Sequence, residues 1–207
     1  MPIRLAAVAS SLLLGACSVV GVRAGTEEPR YETLGIEAGL EIRRYAARLA
    51  AETAVEGDET GSRSEGFSRL ARYIFGANQG SAKIAMTAPV AQQPTRIAMT
   101  APVAQAATPD GYRIRFFLPA ALRDPPVPQD PRVSIVQVPP ETVAVLRFSG
   151  STTPAAVAEA RDRLLAALPA TGWVQAGAPV AWFYDPPWTI PALRRNEVAV
   201  PVTRRNG

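Results

Sequence analysis

At 207 residues, 47% of them hydrophobic, the chain is long enough to build one real core and predicts one domain, or at most two small ones. The formal charge of +4 comes from Arg and Lys residues that are scattered rather than run together, which sets nucleic acid aside as a partner. There is no histidine, so Ser-His-Asp and Cys-His nucleophile arrangements and the usual general base are excluded.

The first thirty residues read as a leader and a tether. Arg4 precedes an apolar run from Leu5 to Leu14 that is too short to span a bilayer, and Leu14-Gly15-Ala16-Cys17 closes it with a small-residue cleavage signal. Residues 1–16 are therefore expected to be a signal peptide. Leu-Gly-Ala-Cys resembles the lipobox of bacterial lipoproteins, in which the cysteine carries the lipid, and Cys17 is the only cysteine. Lipidation there leaves no thiol for a disulfide. Residues 17–29 have little periodic apolar content and are expected to form a flexible tether. The folded domain is expected over 30–204, in the cell envelope and anchored through lipid. In a Gram-negative cell, Ser18 after the cysteine resembles the outer-membrane sorting pattern, with the domain facing the periplasm.

Three alternating runs, YETLGIE, GLEIRRY and RLAAETAVEG, predict strands at 31–36, 40–45 and 48–56, separated by Gly39 and by Ala46-Ala47. A helix follows Ser64. Phe67, Leu70, Ala71, Ile74 and Phe75 fall on one face, Arg69 and Arg72 fall on the other, and Gly76 is placed to stop it. Next comes KIAMTAPVAQQPT (83–95), repeated at once as RIAMTAPVAQAAT (96–108) with ten of thirteen positions identical. Ile84, Met86 and Ala88 alternate onto one face of an extended chain, and each copy predicts a strand ended, bulged or placed at a sheet edge by Pro89 or Pro102. Gln92 to Thr95 then reads as the turn of a hairpin between the copies.

Tyr112 to Leu118 predicts a further strand, and residues 119–132, with five prolines, a long loop. Strands at 133–138 and 142–148 flank Pro139-Pro140. Thr153 and Pro154 are an N-cap and a first helical residue, so a second helix is expected from 154 to about 168. Val157, Ala160, Leu164, Leu165 and Leu168 point inward. Strands near 180–185 and 197–202 close the chain. Strands, helix and strands are thus followed by strands, helix and strands, which predicts an α+β domain of two similar halves packed face to face or as a distorted barrel.

For chemistry, the carboxylates form no convincing pair and no Gly-rich phosphate loop is present, so turnover is not expected. What remains is material for a binding surface. Met86 and Met99 offer polarizable thioethers that adapt to a flat ligand, or simply fill the core. Phe67, Ile74, Phe116, Phe117, Trp182 and Trp188 offer large apolar areas, and Arg63, Arg69, Arg72, Arg194 and Arg195 are available to meet carboxylates at a rim.

Four segments, YIFGANQG (73–80), KIAMTAPV (83–90), DPRVSIVQVPPETVAVLRFSG (130–150) and YDPPWTIPALRRNEVAV (184–200), together resemble the SOUL haem-binding protein family over Tyr31 to about Val202. The resemblance implies a pseudo-twofold α+β domain, two antiparallel sheets in a distorted barrel with a helix on each half. It also implies non-covalent binding of haem or a related tetrapyrrole at a shallow apolar surface near the first helix. On that reading Phe67, Leu70, Tyr73 and Ile74 form the platform, Met86 and Met99 flank it, and Arg69 or Arg72 meets the propionates. Some relatives are thought to use a histidine ligand; here only Met, Tyr or no protein ligand to iron is available. The alternative is an envelope interaction or scaffolding lipoprotein with no tetrapyrrole.

Overall fold

The computed structural model describes residues 26–96, 110–186 and 188–205. Among the described residues, ten strands form one antiparallel sheet, curled on itself, with two α-helices on its outside. The first strands fall where alternation placed them: β1 (Tyr31–Glu37), β2 (Leu40–Tyr45) and β3 (Arg48–Glu56). β1 and β2 pair as a hairpin across Ala38 and Gly39, whose φ values of 49° and 78° supply the two left-handed residues that such a tight turn requires. Helix α1 (Glu59–Ile74) follows, then β4 (Val90–Arg96), β5 (Asp110–Phe117), β6 (Ser134–Val138) and β7 (Glu141–Phe148). Helix α2 (Pro154–Ala167), β8 (Trp173–Gln175), β9 (Val180–Phe183) and β10 (Asn196–Arg204) complete the chain. Thr153 caps α2 by accepting from Ala156 N, and Pro154 opens it, as its sequence predicts.

The strand order is β1-β2-β7-β10-β9-β4-β5-β3-β6, with β8 paired to the end of β10. It divides into two halves: β1, β2, β7, β10 and β9 carry α2, and β4, β5, β3 and β6 carry α1. The two expected sheets are continuous with each other through the short β4–β9 pairing, Val90↔Phe183 to Gln92↔Ala181. The links β2→β3 and β6→β7 each cross between halves, so Pro139-Pro140 is a crossover rather than a hairpin turn.

Side-chain alternation produces three cores. On β10, Val198, Val200 and Val202 point outward to α2, where they meet Val157, Ala160 and Leu164. On β3 and β5, Ala51, Ile114 and Phe116 point outward to Leu70, Tyr73 and Ile74 of α1. The residues between them in sequence point inward from both halves: Tyr45, Val143, Val145, Trp182 and Ala199 meet Ala50, Phe117 and Val138. The sheet is buried on both faces, and the interior between the halves is a core in its own right.

The repeat departs from expectation. Residues 84–88 are not a strand, although Ile84 and Ala88 are buried; Met86 between them is exposed, so the apolar alternation does not mark a sheet face. The strand starts after Pro89, and Gln92 to Thr95, expected as a turn, lie inside β4. Over Val90–Gln92, β5 and β9 occupy both sides of β4, which leaves no edge there for a second copy. Apart from Arg96, which ends β4, the second copy, with Met99, lies outside the described residues. Cys17 and the expected signal peptide lie outside them too. At the start of the domain, Glu27 and Glu28 are bonded to the fold rather than lying in a free tether.

Candidate functional site

Helix α1 is the outer element of its half, and the way its sequence seats it decides which residues face solvent. Asp58 caps it, accepting from Thr60 N (2.9 Å) and Gly61 N (3.0 Å), so the helix begins at Glu59, before the expected Ser64. Gly66 faces β5 so closely that a Cβ there would stand 2.3 Å from Ile114 Cγ1. Arg69, expected on the solvent side, is 5% exposed and turns toward β3, donating to Thr53 Oγ1 (2.7 Å) and to Ala54 O (3.2 Å) and pairing with Glu65. Together these rotate the buried arc onto Ser62, Gly66, Arg69, Leu70, Tyr73 and Ile74. At about 100° per residue, Phe67, Ala71 and Phe75 then form a stripe at the other edge of the helix, with Arg72 beyond it.

This corrects the expected platform. Leu70, Tyr73 and Ile74 are at most 1% exposed and are core, and Tyr73 also donates its hydroxyl to Pro126 O (2.9 Å). Phe67 is 39% exposed with its ring edge-on to Phe116 at 5.2 Å, and Phe75, expected inward, is 62% exposed at the helix C-cap. Arg72 is exposed, while Arg69 is committed to the fold.

The segment after α1 is fixed to the helix end by Asn78, which is fully buried and went unremarked in the sequence. Its side chain donates to Tyr73 O (2.9 Å) and Ala82 O (2.7 Å) and accepts from Ala82 N (2.9 Å). Ile84 N then donates to Ile74 O (2.8 Å), anchoring the segment that carries exposed Lys83 and Met86 beside α1. Phe67 and Phe75 on α1 and Met86 on the segment that follows it are thus exposed apolar side chains, and Arg72 is an exposed cation on the same helix. Together they suit a flat apolar ligand bearing carboxylates. No thiolate, imidazole or carboxylate cluster able to hold a metal ion occurs among the described residues.

The other arginines considered for a rim are structural. Arg63 lies over the Phe183 ring (4.5 Å) and donates to Thr152 O, and Arg194 donates to Thr189 O. Arg195 belongs to a buried network inside the sheet. There Glu197, fully buried, accepts from Arg43 (2.7 and 3.1 Å), Arg195 (2.9 Å) and the Tyr184 hydroxyl (2.8 Å). Burial alone would push the Glu197 carboxyl up, but the hydrogen bonds and charge of Arg43, with Arg195, outweigh it and hold it below the usual carboxylate range. Burial also pushes the Tyr45 phenol up to about 12. Phe117 and Trp182 line this interior, and Trp188 is 64% exposed on the loop before β10.

A family model described as SOUL heme-binding protein matches residues 26–201. No curated protein matches the chain. Among solved structures, the EcmrR C-terminal domain is 12% identical, with 84% of this chain and 99% of that chain covered and a TM-score of 0.58. An uncharacterized conserved protein from Listeria innocua is 10% identical, with 78% and 92% covered and a TM-score of 0.54. A hydrolase from Listeria innocua is 12% identical, with 82% and 94% covered and a TM-score of 0.52. At these identities the likeness concerns the fold alone.

Proposed function

This chain belongs to the SOUL heme-binding protein family, and on that premise we propose that it binds haem or a related tetrapyrrole non-covalently and without turnover, on the exposed flank of α1. The observation that carries the reading is the Phe67–Ala71–Phe75 stripe, left outside the core by the seating of Gly66 and Arg69. Two exposed aromatic rings and the Met86 thioether offer the apolar contact, and Arg72 meets a propionate. The iron would receive no imidazole from this chain. When bound, the tetrapyrrole itself supplies any redox or pigment chemistry.

Haemin titrated into the full chain in detergent tests this. A Soret shift saturating at micromolar ligand is expected, and Phe75→Asp should weaken binding roughly tenfold or more by placing a charge against the apolar ligand, with thermal stability unchanged. A flat titration would sink the reading. It would favour the second one, an envelope interaction lipoprotein, which draws support from the core that the protein's own side chains form between the two halves.

The anchoring at Cys17 is part of the same proposal and rests on the lipobox-like Leu14-Gly15-Ala16-Cys17. Cys17→Ser is expected to move the protein from the membrane to the soluble fraction, or to leave the precursor uncleaved. Unchanged membrane partitioning of a normally processed product would contradict lipidation. More than one acyl chain is needed for a firm hold.

A further inference from the structure

The interior core opens toward the start of the domain, and the chain roofs that opening with its own residues. Glu28 and Pro29, with Tyr31 and Pro89, line a small cleft whose other walls are Tyr45, Arg48, Phe117, Trp182 and Tyr184. The space among them, about 10 Å³, is room for roughly one water. The roof is held by few bonds. Ala88 N donates to Glu27 O (3.0 Å), Ala120 N donates to Glu27 Oε1 (2.9 Å), and Arg195 Nη1 donates to both Glu28 carboxylate oxygens (3.2 and 3.0 Å). Among the described residues, its strand-like link is a single bridge, Glu27↔Thr87.

Two features of the cleft exceed what packing needs. Arg48 is largely covered, its side chain 10% exposed, with its guanidinium over the rings of Tyr45 (4.1 Å) and Phe117 (4.5 Å). It pairs with Glu141 through Nη2, and its Nε, like those of Arg43 and Arg69, has no hydrogen-bond partner within the protein. A guanidinium donor beside a ring-lined cleft is available to a polar group that enters it. Arg195, over the Tyr184 ring at 3.8 Å, already shares Glu197 with Arg43, and the further carboxylate it holds comes from the roof.

We propose that residues 26–30 are a displaceable roof and that Glu28 stands in for a ligand carboxylate: the cleft takes a flat aromatic monocarboxylate, which replaces Glu28 on Arg195 and lies among the rings within reach of Arg48. Charge decides the class. Exchanging one carboxylate for another leaves the balance of Arg43, Arg48 and Arg195 against Glu41, Glu141 and Glu197 unchanged, whereas a cation would meet two buried guanidiniums and a neutral ring would leave Arg195 short of a partner. The cleft lies on the inner face of the sheet and α1 on the outer face, so the site is independent of the tetrapyrrole surface. Because Glu28 is tethered, it competes intramolecularly and lowers the apparent affinity of the intact protein.

Calorimetry of the full chain in detergent with 2-naphthoate, and with 2-naphthamide as the uncharged control, tests the proposal. Glu28→Ala is expected to bind 2-naphthoate about tenfold tighter than the unsubstituted chain, with no such gain for the amide. Adding Arg195→Met should abolish the gain. If that pair fails to fold, as read by near-ultraviolet circular dichroism, Arg48→Met in the Glu28→Ala background should reduce it. Equal 2-naphthoate affinity with and without Glu28, an equal gain for the amide, or loss of the gain on Phe75→Asp in α1 would each overturn the assignment.

Discussion

Glu197→Ala should lower the stability of the domain by about 3–5 kcal/mol, because it strips a buried carboxylate from two guanidiniums that cannot leave the interior. Arg43 is 3% exposed and would keep Glu41, itself partly open to solvent; Arg195 would keep Glu28. Neither substitute is buried as Glu197 is. Denaturant unfolding followed by Trp fluorescence measures the loss. The same residue shapes the acid response. Its folded pKa is depressed, so its contribution is fully present above the unfolded glutamate value of about 4.3 and is lost as pH falls through the lower folded value. The unsubstituted domain should therefore lose stability below about pH 4 more steeply than Glu197→Ala. Equal stabilities at neutral pH would mean that the network is dispensable.

Gly66→Ala is the second large effect, and two principles pull it in opposite directions. Helix propensity favours alanine by about 1 kcal/mol. Packing opposes it, since the new Cβ would sit 2.3 Å from Ile114 Cγ1 and 2.7 Å from Ile114 Cβ. Ile114 is fully buried in a central strand and its Cβ cannot swing aside, so overpacking of about 1–3 kcal/mol or more should prevail. Gly66→Val should be worse. A double-mutant cycle with Ile114→Ala locates the cause: the two substitutions together should cost less than their sum. A stabilised Gly66→Ala would show that α1 is free to lift from the sheet, which would remove the basis for its exposed flank.

These residues also mark where sequence reading succeeds and where it stops. The first three strands and the cap of α2 were legible because each boundary has a local cause: alternation that ends at Ala38-Gly39 or at Ala46-Ala47, and Thr153-Pro154. The face of α1 was not. Arg69 looks like a solvated cation, yet Thr53 Oγ1 and Ala54 O on a strand distant in sequence draw it inward. That rotation turns Phe75 outward and makes Leu70, Tyr73 and Ile74 core. Ile84, Met86 and Ala88 imitate strand alternation, but backbone bonding to the helix end and the buried Asn78 give that segment its shape. Which side chains of the KIAMTAPV motif face solvent is decided by these tertiary contacts. Glu197 read as a residue at a strand end; only the pairing of β10 with β7 and β9 puts it inside the sheet.

The central claim, that the outer flank of α1 takes the tetrapyrrole, is tested most directly by methyl NMR of the protein labelled at its methionines, titrated with diamagnetic zinc protoporphyrin. Met86→Leu assigns the Met86 resonance. The account predicts that the Met86 methyl shifts as the ligand saturates and that Phe67→Asp or Phe75→Asp suppresses the shift. A Met86 methyl that stays in place while zinc protoporphyrin binds would contradict it.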